Sequence, residues 1–199
     1  MITVDPVLET HDAAGFTAWP IGAPPEDHFL ALSGRMSPAD VGTAMAVVFE
    51  YNGIPVTHLT DARLHRHLAE TEGLLAPGGL RFRDTAAGVT IAPGCCSGLE
   101  DWREWWGVVH GRELWLGHDP ALHVTQAEHT VRLQQDDEDS PYIEITRDEL
   151  SGLLTTAQQH LSGFLGLARR WAAATTPDAA TRLISALDQH LEITADQRV

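Results

Sequence analysis

Apolar residues recur along this chain with two periods, and the places where one period gives way to the other divide it into elements. Leu150, Leu153, Leu154, Ala157, Leu161, Phe164, Leu165, Ala168 and Trp171 follow i, i+3, i+4, i+7 spacing. That is one face of a helix, and it predicts a long helix over 147–173 with a continuous apolar stripe. Thr146 and Glu149 stand ahead of it as a capping box, with Ile145 and Leu150 placed as a hydrophobic staple. Leu183, Ile184, Leu187 and Leu191 predict a last helix within 175–199, opened by Thr176-Pro177-Asp178. The link between the two is short, so they should form an antiparallel pair with the last helix packed on the long one.

Earlier in the chain, Ser37, Pro38 and Asp40 read as an N-cap, an N1 proline and a first-turn acid, opening a helix through about Tyr51 that Asn52-Gly53 stops. A shorter helix is predicted after Thr60, through Leu64 and Leu68 to Gly73. Ser97 and Glu100 form a further capping box, predicting a short helix from Gly98 to Trp106. The period then falls to two. LRFRD and GVTIA flank a short link and predict a hairpin; ELWLG, LHVTQ, TVRLQQ and YIEIT predict four strands whose links are too short for helical crossovers, hence antiparallel. Pro77-Gly78-Gly79 reads as a turn, and the Pro-interrupted patches before residue 35 suggest an edge strand and a turn. Strands grouped between helices make the whole chain, 1–199, one α+β domain: a mostly antiparallel sheet covered on one face by helices.

Charge narrows the possible partners more than composition does. Asp and Glu number 28 against 13 basic residues, every one of them Arg, for a formal net charge of −15. A nucleic-acid partner is therefore not expected, because binding a phosphate backbone needs a basic footprint. Cationic proteins are the partners this field attracts, although acidity also serves solubility and the missing Lys fits a GC-rich coding bias. Without Lys, Schiff-base chemistry is excluded. No apolar run approaches the roughly 18 residues of a membrane span, and the acidic start, MITVDPVLETHDAAG, lacks the basic residues of an export signal. A cytoplasmic setting is expected.

Candidate chemistry is sparse. Cys95 and Cys96 are adjacent, which rules out a disulfide framework and a zinc site of the C-x-x-C kind. A buried, reduced thiol pair is the reading preferred here; in the alternative, Cys96 is a nucleophile lowered in pKa by the following helix and served by His110 or His118. Among 11 histidines, His58, His65 and His67 cluster with Asp61. Asp61 and His65 lie one turn apart and could share a cation, but His65 and His67 stand about 200° apart on a helix and cannot chelate together. No metal and no cofactor are expected.

The most concentrated feature is aromatic: Trp102, Trp105, Trp106 and Trp115 are four of the six Trp, within 14 residues. On a helix the first three share a face, interleaved with Glu100, Asp101, Arg103 and Glu104. They either pack the helix on the sheet or leave a binding anchor ringed by acids. A second acidic run, Asp136, Asp137, Glu138 and Asp139, lacks the Gly and distal Glu of a calcium loop and joins the candidate surface. These features sum to a non-catalytic acidic binding protein of the immunity or inhibitor type, neutralising a basic protein such as a bacterial toxin or nuclease. The competing expectation is a small-molecule hydrolase or transferase using Cys96 with His110 or His118.

Overall fold

The computed structural model describes residues 1–13, 15–54, 73–135 and 139–196, and its architecture follows from where the period-two segments find partners. Strands β1 (Ile2–Glu9), β2 (Phe29–Ala31), β3 (Gly78–Asp84) and β4 (Val89–Ile91) form one antiparallel sheet in the order β2-β1-β3-β4. Strands β5 (Leu122–Gln126), β6 (Thr130–Gln135) and β7 (Tyr142–Thr146) form a second, in sequence order. The fold is α+β with every ladder among the described residues antiparallel, as the short links of β3–β4 and β5–β7 require; the difference from expectation is that the strands divide into two sheets.

Strand β1 is the element that the sequence concealed, because Asp5-Pro6 interrupts it. Pro6 is nevertheless tolerated in a central strand. Its carbonyl accepts from the Leu32 N–H at 2.8 Å, on the β2 side. A residue's N and carbonyl point to the same side of a strand, so the missing N–H faces the end of the three-residue β2 and takes nothing from the β1–β3 ladder. ELWLG, in contrast, is not a strand. Its alternation is real, with Leu116 buried and Trp115 65% exposed, but no ladder among the described residues pairs with it. Gly78 and Gly79 open β3 opposite Leu8 and Val7, where a turn was expected.

The helices hold to their capping chemistry in two of four cases. Helix α1 (Pro38–Tyr51) begins on the complete Ser37/Asp40 box and ends at Asn52, followed by Gly53 at φ +62°. Residues Leu99–Glu104 form a 3-10 turn that runs into the short helix α2 (Trp105–Val109). The Ser97/Glu100 box does not form: Gly98 occupies the cap position, and the Glu100 side chain is engaged elsewhere. Helix α3 (Arg147–Thr175) starts where Thr146 accepts from the Glu149 N–H at 3.2 Å, with Ile145 and Leu150 both fully buried beside it. Helix α4 (Ala180–His190) begins later than expected, because the Thr176 hydroxyl turns back to the Ala172 carbonyl instead of capping the next helix.

The stripe on α3 is the spine of the molecule. Leu150, Leu154, Ala157, Leu161, Phe164, Leu165, Ala168 and Ala172 are buried against β1, α1, α2 and α4, while Leu153 and Trp171 sit at the stripe's edge. Val4, Leu8, Leu80 and Phe82 of the first sheet and Val131, Leu133, Ile143 and Ile145 of the second join the same core. Removing that much apolar surface from water is the main force that fixes the arrangement. The helix expected between Thr60 and Gly73, the group His58, Asp61, His65 and His67, and the acids Asp136, Asp137 and Glu138 lie outside the described residues. No helix among the described residues is long and apolar enough to cross a membrane.

Candidate functional site

The tryptophan segment resolves into core and surface residue by residue. A six-residue 3-10 turn and a five-residue helix have little stability of their own, and the rings supply it. Trp102 is 1% and Trp105 2% exposed. Trp102 donates its Nε1–H to the Leu191 carbonyl at 2.7 Å, and the Trp105 ring packs tilted against Phe82 of β3 with centroids 4.8 Å apart. Neither can be a surface anchor, which corrects the expectation for both. Glu100 is corrected too. Its carboxylate turns inward and accepts the Ala76 N–H at 2.9 Å. Desolvation by burial raises its pKa above the ordinary carboxylate range; hydrogen bonds from its own and the Ala76 N–H oppose the shift, and neighbouring Asp101 reinforces it.

Asp101, Glu104 and half-buried Trp106 do reach the surface. Trp106 and Glu104 line an open cleft of about 420 Å³ with Arg103, Arg112, Glu113, Leu114, Glu192 and Asp196. Four of those residues are acids and two are arginines. Arg103 is already committed: its Nε donates to the Glu192 carbonyl at 2.6 Å, its Nη2 donates to the Ala195 carbonyl at 2.5 Å, and its guanidinium lies 4.7 Å over the Trp102 ring. It pins the C-terminal segment to the 3-10 turn and so builds one wall of the cleft. Glu113, Glu192 and Asp196 carry no signal in the sequence, because three separate stretches of chain supply this wall and no local pattern links them. Asp139 is exposed in the turn between β6 and β7.

A second cluster forms where the 93–98 loop meets the 117–120 loop. The Cys95 and Cys96 sulfurs are 3.5 Å apart, and a ring nitrogen of His118 lies within 4.8 Å of both. All three residues are exposed, so the thiols are not the buried structural pair expected of them. The loops are joined through backbone. His118 N–H donates to the Cys95 carbonyl at 3.1 Å, and glycine at 94 and 117 makes the approach possible: a side chain at Gly117 would strike the Cys95 carbonyl, and one at Gly94 the Pro120 carbonyl. Cys96 and Asp119 take the left-handed conformation at φ +64° and +53°, a cost of about 1 kcal/mol each that the junction must offset. The Cys95 thiol pKa is raised, chiefly by its hydrogen bond and charge interaction with Cys96, then by desolvation and by Glu9 and Asp119.

His118 is thus brought to the cysteines and His110 is not; His110 Nδ1 lies 2.6 Å from the Trp106 carbonyl. The cavity behind the thiol loop, lined by Pro93, Ser97 and Trp115 among others, measures only about 10 Å³, room for one water and not for a substrate. Across the first sheet, Arg81 is 3% exposed and ion-paired to Asp27 at 2.7 Å and to Asp5 at 3.7 Å. Burial first and the like charge of Arg83 second lower its pKa. That network holds the 27–28 turn on β1 and β3. Comparison with known proteins finds no matching family model, no similar curated protein and no similar solved structure.

Proposed function

We propose that the protein is a non-catalytic acidic binding protein of the immunity or inhibitor type, acting in the cytoplasm by occupying the cationic surface of a basic protein such as a toxin or nuclease. The observation that carries this reading is the open cleft in which Glu104, Glu113, Glu192 and Asp196 outnumber Arg103 and Arg112 in a chain of net charge −15. An arginine- or lysine-bearing loop is the occupant whose charge complements it. Trp115, 65% exposed and two residues from Glu113 in sequence, serves beside half-buried Trp106, which lines the cleft, as the anchor that buried Trp102 and Trp105 cannot be. The acids would set the rate of encounter and the ring the lifetime of the complex.

The catalytic alternative keeps one supporting feature, the approach of His118 to the thiols. Among the described residues the cavity beside the thiol loop has room for a water and not for a substrate.

The test uses the partner retained at low salt by the full chain and identified by mass spectrometry, with association and dissociation rates followed at two salt concentrations. Glu104→Gln with Glu113→Gln should slow association about tenfold and flatten its salt dependence, while Trp115→Ala should speed dissociation and cost about 2 kcal/mol of binding. No partner at low salt, or one whose kinetics ignore all three changes, removes the reading.

A further inference from the structure

We propose that Cys95, Cys96 and His118 form a thiophilic metal site that takes Zn²⁺ through two thiolates and one imidazole, independently of the acidic cleft. Two sulfurs bound at about 2.3 Å to a tetrahedral zinc stand about 3.8 Å apart, and the two here are 3.5 Å apart before any ion is added. The His118 nitrogen, within 4.8 Å of both, closes the third vertex with a small side-chain rotation. Thiolate with imidazole is a donor set that favours zinc over the hard cations calcium and magnesium, which take oxygen ligands.

The competing fate of two such thiols is a disulfide. Across a trans peptide, neighbouring Cα atoms are about 3.8 Å apart, below the roughly 4.4 Å at which unstrained disulfides begin. Adjacency therefore disfavours oxidation to the disulfide while leaving both sulfurs able to face one ion. The backbone holds them there: the His118 N–H bond to the Cys95 carbonyl and the glycines at 94 and 117 fix the third ligand against the pair. Asp119, with a carboxylate oxygen 3.8 Å from His118 Nδ1, and Glu9, which acts on Cys95 through its charge, favour a cation at this position. On binding, the thiol protons pass to solvent and no electron is transferred. Because all three ligands are exposed, the remaining coordination position opens to water and the ion can enter and leave from the surface.

Titration of the full-length, reduced chain with Co²⁺ as a spectroscopic stand-in for zinc tests this. One equivalent should produce thiolate-to-cobalt charge transfer and the ligand-field bands of a tetrahedral ion, and one equivalent of Zn²⁺ should abolish both. Cys95→Ser, Cys96→Ser and His118→Ala should each weaken binding about a hundredfold, at or beyond what loss of an outer-shell partner causes, while Asp61→Asn with His65→Gln should leave it intact. A chain that shows no charge transfer, or whose binding follows Asp61 and His65 instead, overturns the site. Alkylation of the unmutated chain gives a check free of folding effects: one equivalent of Zn²⁺ should protect both cysteines from iodoacetamide, and equal labelling with and without zinc overturns the site as well.

Discussion

Trp102 and Cys95 belong to the same connection between β4 and α2, yet one is the largest fully buried side chain of the segment and the other stands in solvent. The difference lies in what each stretch needs to be stable. The 3-10 turn and the short helix after it have few internal hydrogen bonds, so their rings must be spent on the core. The thiol loop is held from outside, by a second strand-like segment that bonds to its backbone, and its two thiols are left unused by packing. A concentration of aromatic residues therefore marks mainly a structural need here, and an unremarkable cysteine pair marks the place of the proposed metal site.

This contrast is broken most sharply through matched tryptophans. Trp102→Ala removes a fully buried ring and orphans the Leu191 carbonyl, so it should cost about 3–5 kcal/mol of unfolding free energy. Trp115→Ala, from the same cluster in sequence, should stay within about 0.5 kcal/mol of the parent. Chemical denaturation of the two variants side by side decides the matter; equal losses would mean that the 113–117 segment is packed and the partition between core and surface is wrong.

How much of this was legible beforehand depended on whether the signal was local. The α3 stripe, the Ser37 cap and the β6–β7 pairing are written within one or two turns or a single hairpin, and each formed where its pattern stood. Strand β1 was hidden because Pro6 interrupts it; only the short reach of β2, a tertiary fact, makes the proline harmless. Ser97 and Glu100 satisfied the capping rule, but Ala76, a residue in another segment, offered the Glu100 carboxylate a buried N–H and won. The approach of His118 to the cysteines had a faint trace in the sequence, a glycine on each approaching loop at 94 and 117. The acidic cleft had none, since its walls come from residues near 104, 113 and 192–196.

Glu100 offers a gentler test of the same boundary, because it is the acid of the tryptophan segment that went inward. Its folded-state pKa is raised, so the native chain holds a proton more tightly there than the unfolded chain does. Stability from this group is present below the unfolded carboxylate pKa of about 4.3 and is lost as pH climbs through the raised folded value. Glu100→Gln retains an oxygen for the Ala76 N–H and removes the charge. The variant should match the parent in acid and exceed it near neutrality by no more than about 1 kcal/mol, with a flatter dependence on pH; a variant that matches the parent in acid but is weaker near neutrality would show that the charge itself holds the segment.

The smallest effects belong to the thiol loop, and their smallness is what separates it from the tryptophan helix. Both sulfurs are exposed, so Cys95→Ser should change the stability of the metal-free chain by less than about 0.5 kcal/mol. Position 96 differs because its backbone is left-handed at φ +64°. Cys96→Gly relieves roughly 1 kcal/mol of native strain and gives back a similar amount through the looser unfolded chain, so its net change should be near zero, whereas Cys96→Val, branched at Cβ, should be clearly destabilising. Melting curves of the three metal-free variants check this ordering. If Cys95→Ser destabilises as much as Cys96→Val, the loop owes its shape to the sulfurs rather than to the backbone junction with His118, and the distinction between a ring that builds the fold and a thiol that the fold merely carries would collapse.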